Sequence, residues 1–139
     1  MSEALDLHLA NDLAAMADLA DAVERFAAAH RLPAKIVNAL QVAVDEIVTN
    51  AITHGYAPGA LGAIAVRLRH RSDSILLEIE DDGMPFDPLQ APPPNLGLPA
   101  LERPIGGLGI HFVRSLMDEA SYARRDGRNL LKLVKNLGS

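Results

Sequence analysis

The chain has 139 residues, 49% of them hydrophobic and 22% charged, with no cysteine; 13 Lys and Arg against 18 Asp and Glu leave a formal charge of −5. That composition excludes a disulfide framework, a thiolate metal site and a thiol nucleophile, and its acidic balance argues against direct nucleic-acid binding, which needs a clustered basic surface. With no apolar run of about 18 residues to span a membrane and no basic, then apolar, signal-like start, the expectation is a soluble, cytoplasmic chain folding as one domain over 1–139.

In chain order, Leu5, Leu7 and Leu9 alternate with Asp6 and His8, the period-2 pattern of a half-buried strand. Asn11 is a good N-cap, and Leu13, Met16, Ala17, Ala20, Val23 and Ala27 recur at three and four, predicting a helix to about His30. Pro33 opens a second helix whose apolar face is Ile36, Leu40, Ala43, Ile47 and Ala51 and which stops at Gly55. Two alternating runs follow, Ile64, Val66, Leu68 and Ile75, Leu77, Ile79, joined through Arg71-Ser72-Asp73 as an antiparallel pair. Asp81 to Gly106 holds seven of the nine prolines and sustains neither helix nor central strand. A structureless stretch of more than about 20 residues is uncommon in a compact domain unless it is a lid, a binding loop or disordered. After Gly109 a helix carries Ile110, Val113, Leu116 and Met117; strands near Ser121–Arg125 and Asn129–Leu137 meet at the hairpin signal Asp126-Gly127. Hairpins rather than alternating strands and helices predict an α+β fold, a two-layer sandwich with helices on one face of a mostly antiparallel sheet.

Three places carry chemistry. On the second helix, Glu46 and Asn50 are four apart and share a face, with His54 one turn further. A carboxylate and an amide oxygen so placed can serve a hard cation such as Mg²⁺ and a reacting hydroxyl; a bare E-x-x-x-N is also the pattern of a solvated helix face. Apolar neighbours and the low helix preference of Asn put Asn50 near a buried boundary. Asp81-Asp82-Gly83 follows a strand whose alternation turns Asp81 inward, where a carboxylate needs a strong partner such as an exocyclic amine; otherwise it is a plain turn. Gly106-Gly107-Leu108-Gly109 precedes a helix, whose free N–H groups suit phosphate, or it is a hinge. No Walker motif is present. Arg103, the cation at the end of the long loop, can reach a phosphate or a partner, or be solvated. The five histidines lack metal-ligand spacing, and His54 is placed to cap carbonyls.

Together and in this order these sites resemble the GHKL ATP-binding superfamily, and most closely its small anti-sigma factor serine kinases of bacterial sporulation and stress response. The resemblance covers nearly the whole chain, through VDEIVTNAITHGY (44–56), DDGMPFDP (81–88) and GGLGIHFVRSLMDE (106–119). It implies the histidine-kinase-like ATPase fold with a Pro-rich ATP lid at about 84–106. It also implies that Glu46 is the general base for a substrate serine and that Asn50 ligates Mg²⁺ between the ATP phosphates. Asp81 would accept a hydrogen bond from the adenine amino group, with Gly83 letting the base approach. Gly106, Gly107, Leu108 and Gly109 would form the phosphate loop, and Arg103 in the lid would add charge neutralisation. The implied partners are a sigma factor, an anti-anti-sigma protein of the STAS type phosphorylated on serine, and a second copy of the chain in a homodimer. Two motifs depart from the pattern: Arg128 and Asn129 stand where Gly-Thr is usual, and Pro85 where a second glycine follows the D-x-G box. The alternatives are an ATP-binding module that sequesters a partner without turnover, a simple ATPase, and a sensor histidine kinase domain; the last has no room here for a dimerisation helix pair.

Overall fold

The computed structural model describes residues 4–90 and 107–138. Five strands, β1 (Ala4–Ala10), β2 (Ala63–His70), β3 (Ser74–Asp81), β4 (Glu119–Arg125) and β5 (Arg128–Asn136), form one sheet in the order β1-β2-β3-β5-β4. Every pairing is antiparallel. Three helices, α1 (Met16–Ala29), α2 (Ala34–His54) and α3 (Gly107–Leu116), make the second layer. Short 3-10 turns occupy Leu13–Ala15 and Pro88–Gln90. The fold is α+β, as expected, with a sheet that is wholly rather than mostly antiparallel.

Register converts the alternating runs into rows across the sheet. Leu5, Leu68, Leu77 and Leu133 stand opposite one another, as do Leu7, Val66, Ile79, Leu131 and Tyr122. These rows face the helices and, with Leu40, Ala43, Val44 and Val48 of α2, form the core. Burying each such Leu or Ile contributes about 1.5–3 kcal/mol. The next row reads Leu9, Ile64, Asp81, Asn129, Arg124. It begins apolar and turns polar midway, so a carboxylate and an amide stand together on the core face at the end of β3 and β5. On the opposite face Arg67, Glu78, Glu80, Arg128 and Lys132 interlace as exposed and half-buried ion pairs.

Several local expectations are corrected. Asp12, not Asn11, caps the first turn, its Oδ1 accepting from Ala14 N at 3.0 Å. Asn11 instead ties β1 to the loop before β2, donating to the Ala60 carbonyl at 2.8 Å and accepting from Gly62 N at 2.9 Å. The buried face of α1 is Leu19, Ala22, Val23, Phe26 and Ala27, whereas Ala17 and Ala20 are exposed and Leu13 is 52% exposed. An alanine-rich helix offers two apolar registers, and the one that buries Leu19 and Phe26 removes more area from water. Helix α3 starts at Gly107, three residues before the expected start at Ile110, so Gly109 lies within its first turn. The hairpin at Asp126-Gly127 is as expected, both residues having positive φ (54° and 76°), the requirement of a type I′ turn.

Candidate functional site

A cavity of about 230 Å³ opens between α2, the polar end of the β3–β5 pair and α3. Its walls are apolar, from Ile47, Ile79, Ile110 and Leu131, and Asn50, His54, Asp81, Tyr122 and Asn129 bring polar atoms to it. Two of the residues singled out in the sequence, Asn50 and Asp81, therefore line one cavity although 31 residues separate them (81 − 50).

On α2 the four-residue spacing puts Glu46 and Asn50 in contact. Asn50 Nδ2 donates to Glu46 Oε1 at 3.2 Å, and both side chains are half-buried. That bond orients the amide so that its oxygen is the atom left for another partner. Glu46 also packs against α3: a Cβ built on Gly109 would overlap its carboxylate. The missing side chain at Gly109 thus makes room for Glu46, a contact between two motifs more than 60 residues apart in sequence. His54, expected to cap carbonyls, lines the cavity as an exposed side chain.

At the end of β3, Asp81 is 9% exposed and its Oδ1 accepts from Gly83 N and from Asn129 Nδ2, each at 2.9 Å. Both described hydrogen bonds fall on one oxygen, so Oδ2 is the acceptor left for the cavity. Gly83 is confined for a backbone reason. A Cβ there would come 2.6 Å from the Gly55 carbonyl oxygen, which accepts from Met84 N at 2.8 Å and locks the loop to the end of α2. From the edge strand, Arg124 holds the same loop by donating to the Gly83 carbonyl at 2.9 Å. Behind it, Asp82 Oδ1 accepts from Tyr56 Oη at 2.7 Å and from Ala63 N at 2.9 Å. The Ala63 amide and then the Tyr56 hydroxyl hold the Asp82 carboxyl below its usual range. Burial, then that hydrogen bond, then the charges of Asp81 and Asp82 push the Tyr56 phenol up.

Arg103 and Gly106, and most of the lid expected at 84–106, lie outside the described residues; Gly107 and Leu108 are described only as backbone in the first turn of α3. At the described base of that segment, Arg114 of α3 donates to the Leu89 carbonyl at 3.0 Å.

The residues that sequence reasoning missed are Asn129, Tyr122, Tyr56 and Arg124. Asn129 had a signal, since asparagine is depleted in strands and stood where the pattern has threonine. It is 6% exposed. Its Nδ2 donates to Asp81 Oδ1 and, at 2.8 Å, to the Met84 carbonyl, while its Oδ1 accepts from Phe86 N at 3.2 Å and from the Tyr122 hydroxyl.

The donor set suits a nucleotide and a hard cation. An inward carboxylate in an apolar pocket matches a flat base bearing one amine. A free amide oxygen beside a carboxylate matches Mg²⁺, a cation that takes few protein ligands and keeps waters and phosphates.

Comparison with known proteins bears on the nucleotide. Residues 9–135 match the family model of the histidine kinase-like ATPase domain. The chain is 34% identical to the serine/threonine-protein kinase BtrW of Bordetella bronchiseptica, across 82% of this chain and 80% of that one. It is 29% identical to the anti-sigma F factor of a Thermoanaerobacter species, across 72% and 70% of the two chains. Among solved structures, the RsbU and RsbW domains of a Mycobacterium tuberculosis protein share its fold with a TM-score of 0.67 at 18% identity, covering 98% of this chain and 33% of that one.

Proposed function

The chain belongs to the histidine kinase-like ATPase family and, within it, to the group of anti-sigma factors and their serine/threonine kinases, and we propose that it is an ATP-dependent anti-sigma factor kinase. In this reading it binds a sigma factor and phosphorylates a serine of a STAS-type anti-anti-sigma protein. The observation that carries it is that Asn50 of α2 and the inward carboxylate of Asp81 line one cavity, while Glu46, outside that lining, is bonded to Asn50 and packed against Gly109 in the first turn of α3.

Each residue has a physical task. Asp81 Oδ2 accepts the adenine amino hydrogen, and the apolar walls from Ile79, Ile110 and Leu131 enclose the ring. The backbone N–H groups at the start of α3, Gly107 to Gly109, lie where a helix offers free donors and a partial positive charge to phosphate. Asn50 would hold Mg²⁺ through its amide oxygen; when bound, Mg²⁺ would neutralise phosphate charge. Phosphoryl transfer needs positioning and charge neutralisation more than covalent catalysis. Glu46, kept in place by Asn50 and Gly109, takes the proton from the incoming serine hydroxyl. Arg103 is assigned to charge neutralisation from the lid, and a homodimer is part of the same proposal.

The test is a phosphotransfer assay: the purified chain, Mg²⁺, γ-labelled ATP and a STAS-type protein that co-purifies with it from the native cell. Label on a serine of that protein is the expected result. Tight ATP binding with no transfer would leave a partner-sequestering module, and release of inorganic phosphate without partner would indicate a simple ATPase.

A further inference from the structure

We propose that Asn129 is a specificity-determining positioning residue, fixing the Asp81 carboxylate so that one oxygen faces inward and only the other reads the base. This rests on the reading of the cavity as an adenine site and adds what makes that site selective.

Asn129 stands directly opposite Asp81 in the β3–β5 register. An asparagine side chain has two N–H donors and two lone pairs on its oxygen. Here both hydrogens go to Asp81 Oδ1 and the Met84 carbonyl, and both lone pairs accept, from Phe86 N and the Tyr122 hydroxyl. Amide orientation follows from those partners, because the Met84 carbonyl needs a donor and the Phe86 N–H an acceptor. With all four places engaged, Asn129 lines the cavity but has none left for a ligand. Its effect on a ligand passes through the groups it holds, and the one among them that carries a charge is Asp81. With Gly83 N, it saturates Oδ1 and leaves Oδ2 as a lone acceptor. A lone acceptor favours an edge bearing an amine, as in adenine, and opposes lone pairs with a carbonyl edge, as in guanine. The clamp also joins three segments, β4 through Tyr122, β5 through its own backbone, and the loop after β3 through Met84 and Phe86. Without it, the carboxylate is free to turn both oxygens and admit water.

Calorimetry with ATP and GTP on four proteins tests this: the native chain, Asn129→Ala, Asp81→Asn, and the double variant. Asn129→Ala is expected to compress the ATP-over-GTP preference about tenfold, the scale of a hydrogen bond to a charged group. In the Asp81→Asn background, which has already lost that preference, it should change nothing further. Equal losses for ATP and GTP in both backgrounds would assign Asn129 a merely structural role and overturn the proposal. If the native chain itself binds ATP and GTP alike, the adenine reading fails first, and the assignment of Asn129 fails with it. Should Asn129→Ala not fold, Tyr122→Phe removes one hydroxyl from the same clamp. A smaller compression that vanishes with Asp81→Asn supports the proposal, and an unchanged preference overturns it.

Discussion

Glu46 and Asp82 show how differently two carboxylates serve one site. Glu46 is half-buried, bonded only to the neutral Asn50 amide among its described hydrogen bonds, and pressed against a glycine. It is thereby held in one place, as the proposed role of base requires. A positioned base is worth about 10²–10⁴-fold. Glu46→Ala should therefore lower phosphotransfer by that factor while ATP affinity, measured by calorimetry, changes little; a matching loss of affinity would remove Glu46 from the role of base. Asp82, by contrast, is exposed and structural, joining Tyr56 to the start of β2. Its carboxyl lies below the ordinary value of 3.8 in the folded chain. Its charge therefore favours the fold above pH 3.8, and that contribution disappears as pH falls through the lower, folded value. Asp82→Asn keeps an acceptor without the charge. Thermal melts should show the native chain losing stability more steeply than Asp82→Asn on acidification below 3.8.

At the scale of elements, the ends of helices decide most. Helix α1 closes with a Schellman pattern: Leu32 N donates to the Ala27 carbonyl and Arg31 N to that of Ala28. Arg31 takes the left-handed position at φ 55°, a conformation that costs a side-chain-bearing residue about 1–2 kcal/mol. Glycine there gives part of that back as greater freedom in the unfolded chain, so Arg31→Gly should raise stability by about 0.5–1 kcal/mol. Urea denaturation checks this, and a loss would mean that the Arg31 side chain makes a stabilising contact. The start of α3 works oppositely. Gly109→Ala would meet the far end of a flexible side chain, the Glu46 carboxylate, rather than backbone. The helix should persist and Glu46 should move. Misplacing a reacting group by about 1 Å can cost 10²-fold, so phosphotransfer should fall on that order with helicity by circular dichroism unchanged.

In the whole molecule, one row of an apolar sheet face turns polar from β3 onward, and α2 and α3 close over it. How much of this was legible depends on range. Periods of two and near 3.6, the Asp126-Gly127 turn and the inward phase of Asp81 are local properties of the chain; each strand, each helix and the α+β class could be read from them. Glu46 and Asn50 were paired by helical spacing alone. The buried face of α1 was legible only in part, Val23 and Ala27 but not Leu19 or Phe26, because alanines on two sides of the helix look alike until Leu19 and Phe26 meet a core that other elements supply. Asn129 looked like a departure from a pattern, since nothing near it in sequence reveals that β5 pairs with β3 rather than β2 and so sets it opposite Asp81. Likewise the space at Gly109 acquires meaning only when α3 lies against α2. Sequence by itself determined the elements and the residue types available for chemistry, because those follow from short-range backbone and burial preferences. Which polar atoms meet, and which are left over for a ligand, was decided by strand order and helix docking, which depend on contacts between segments far apart along the chain.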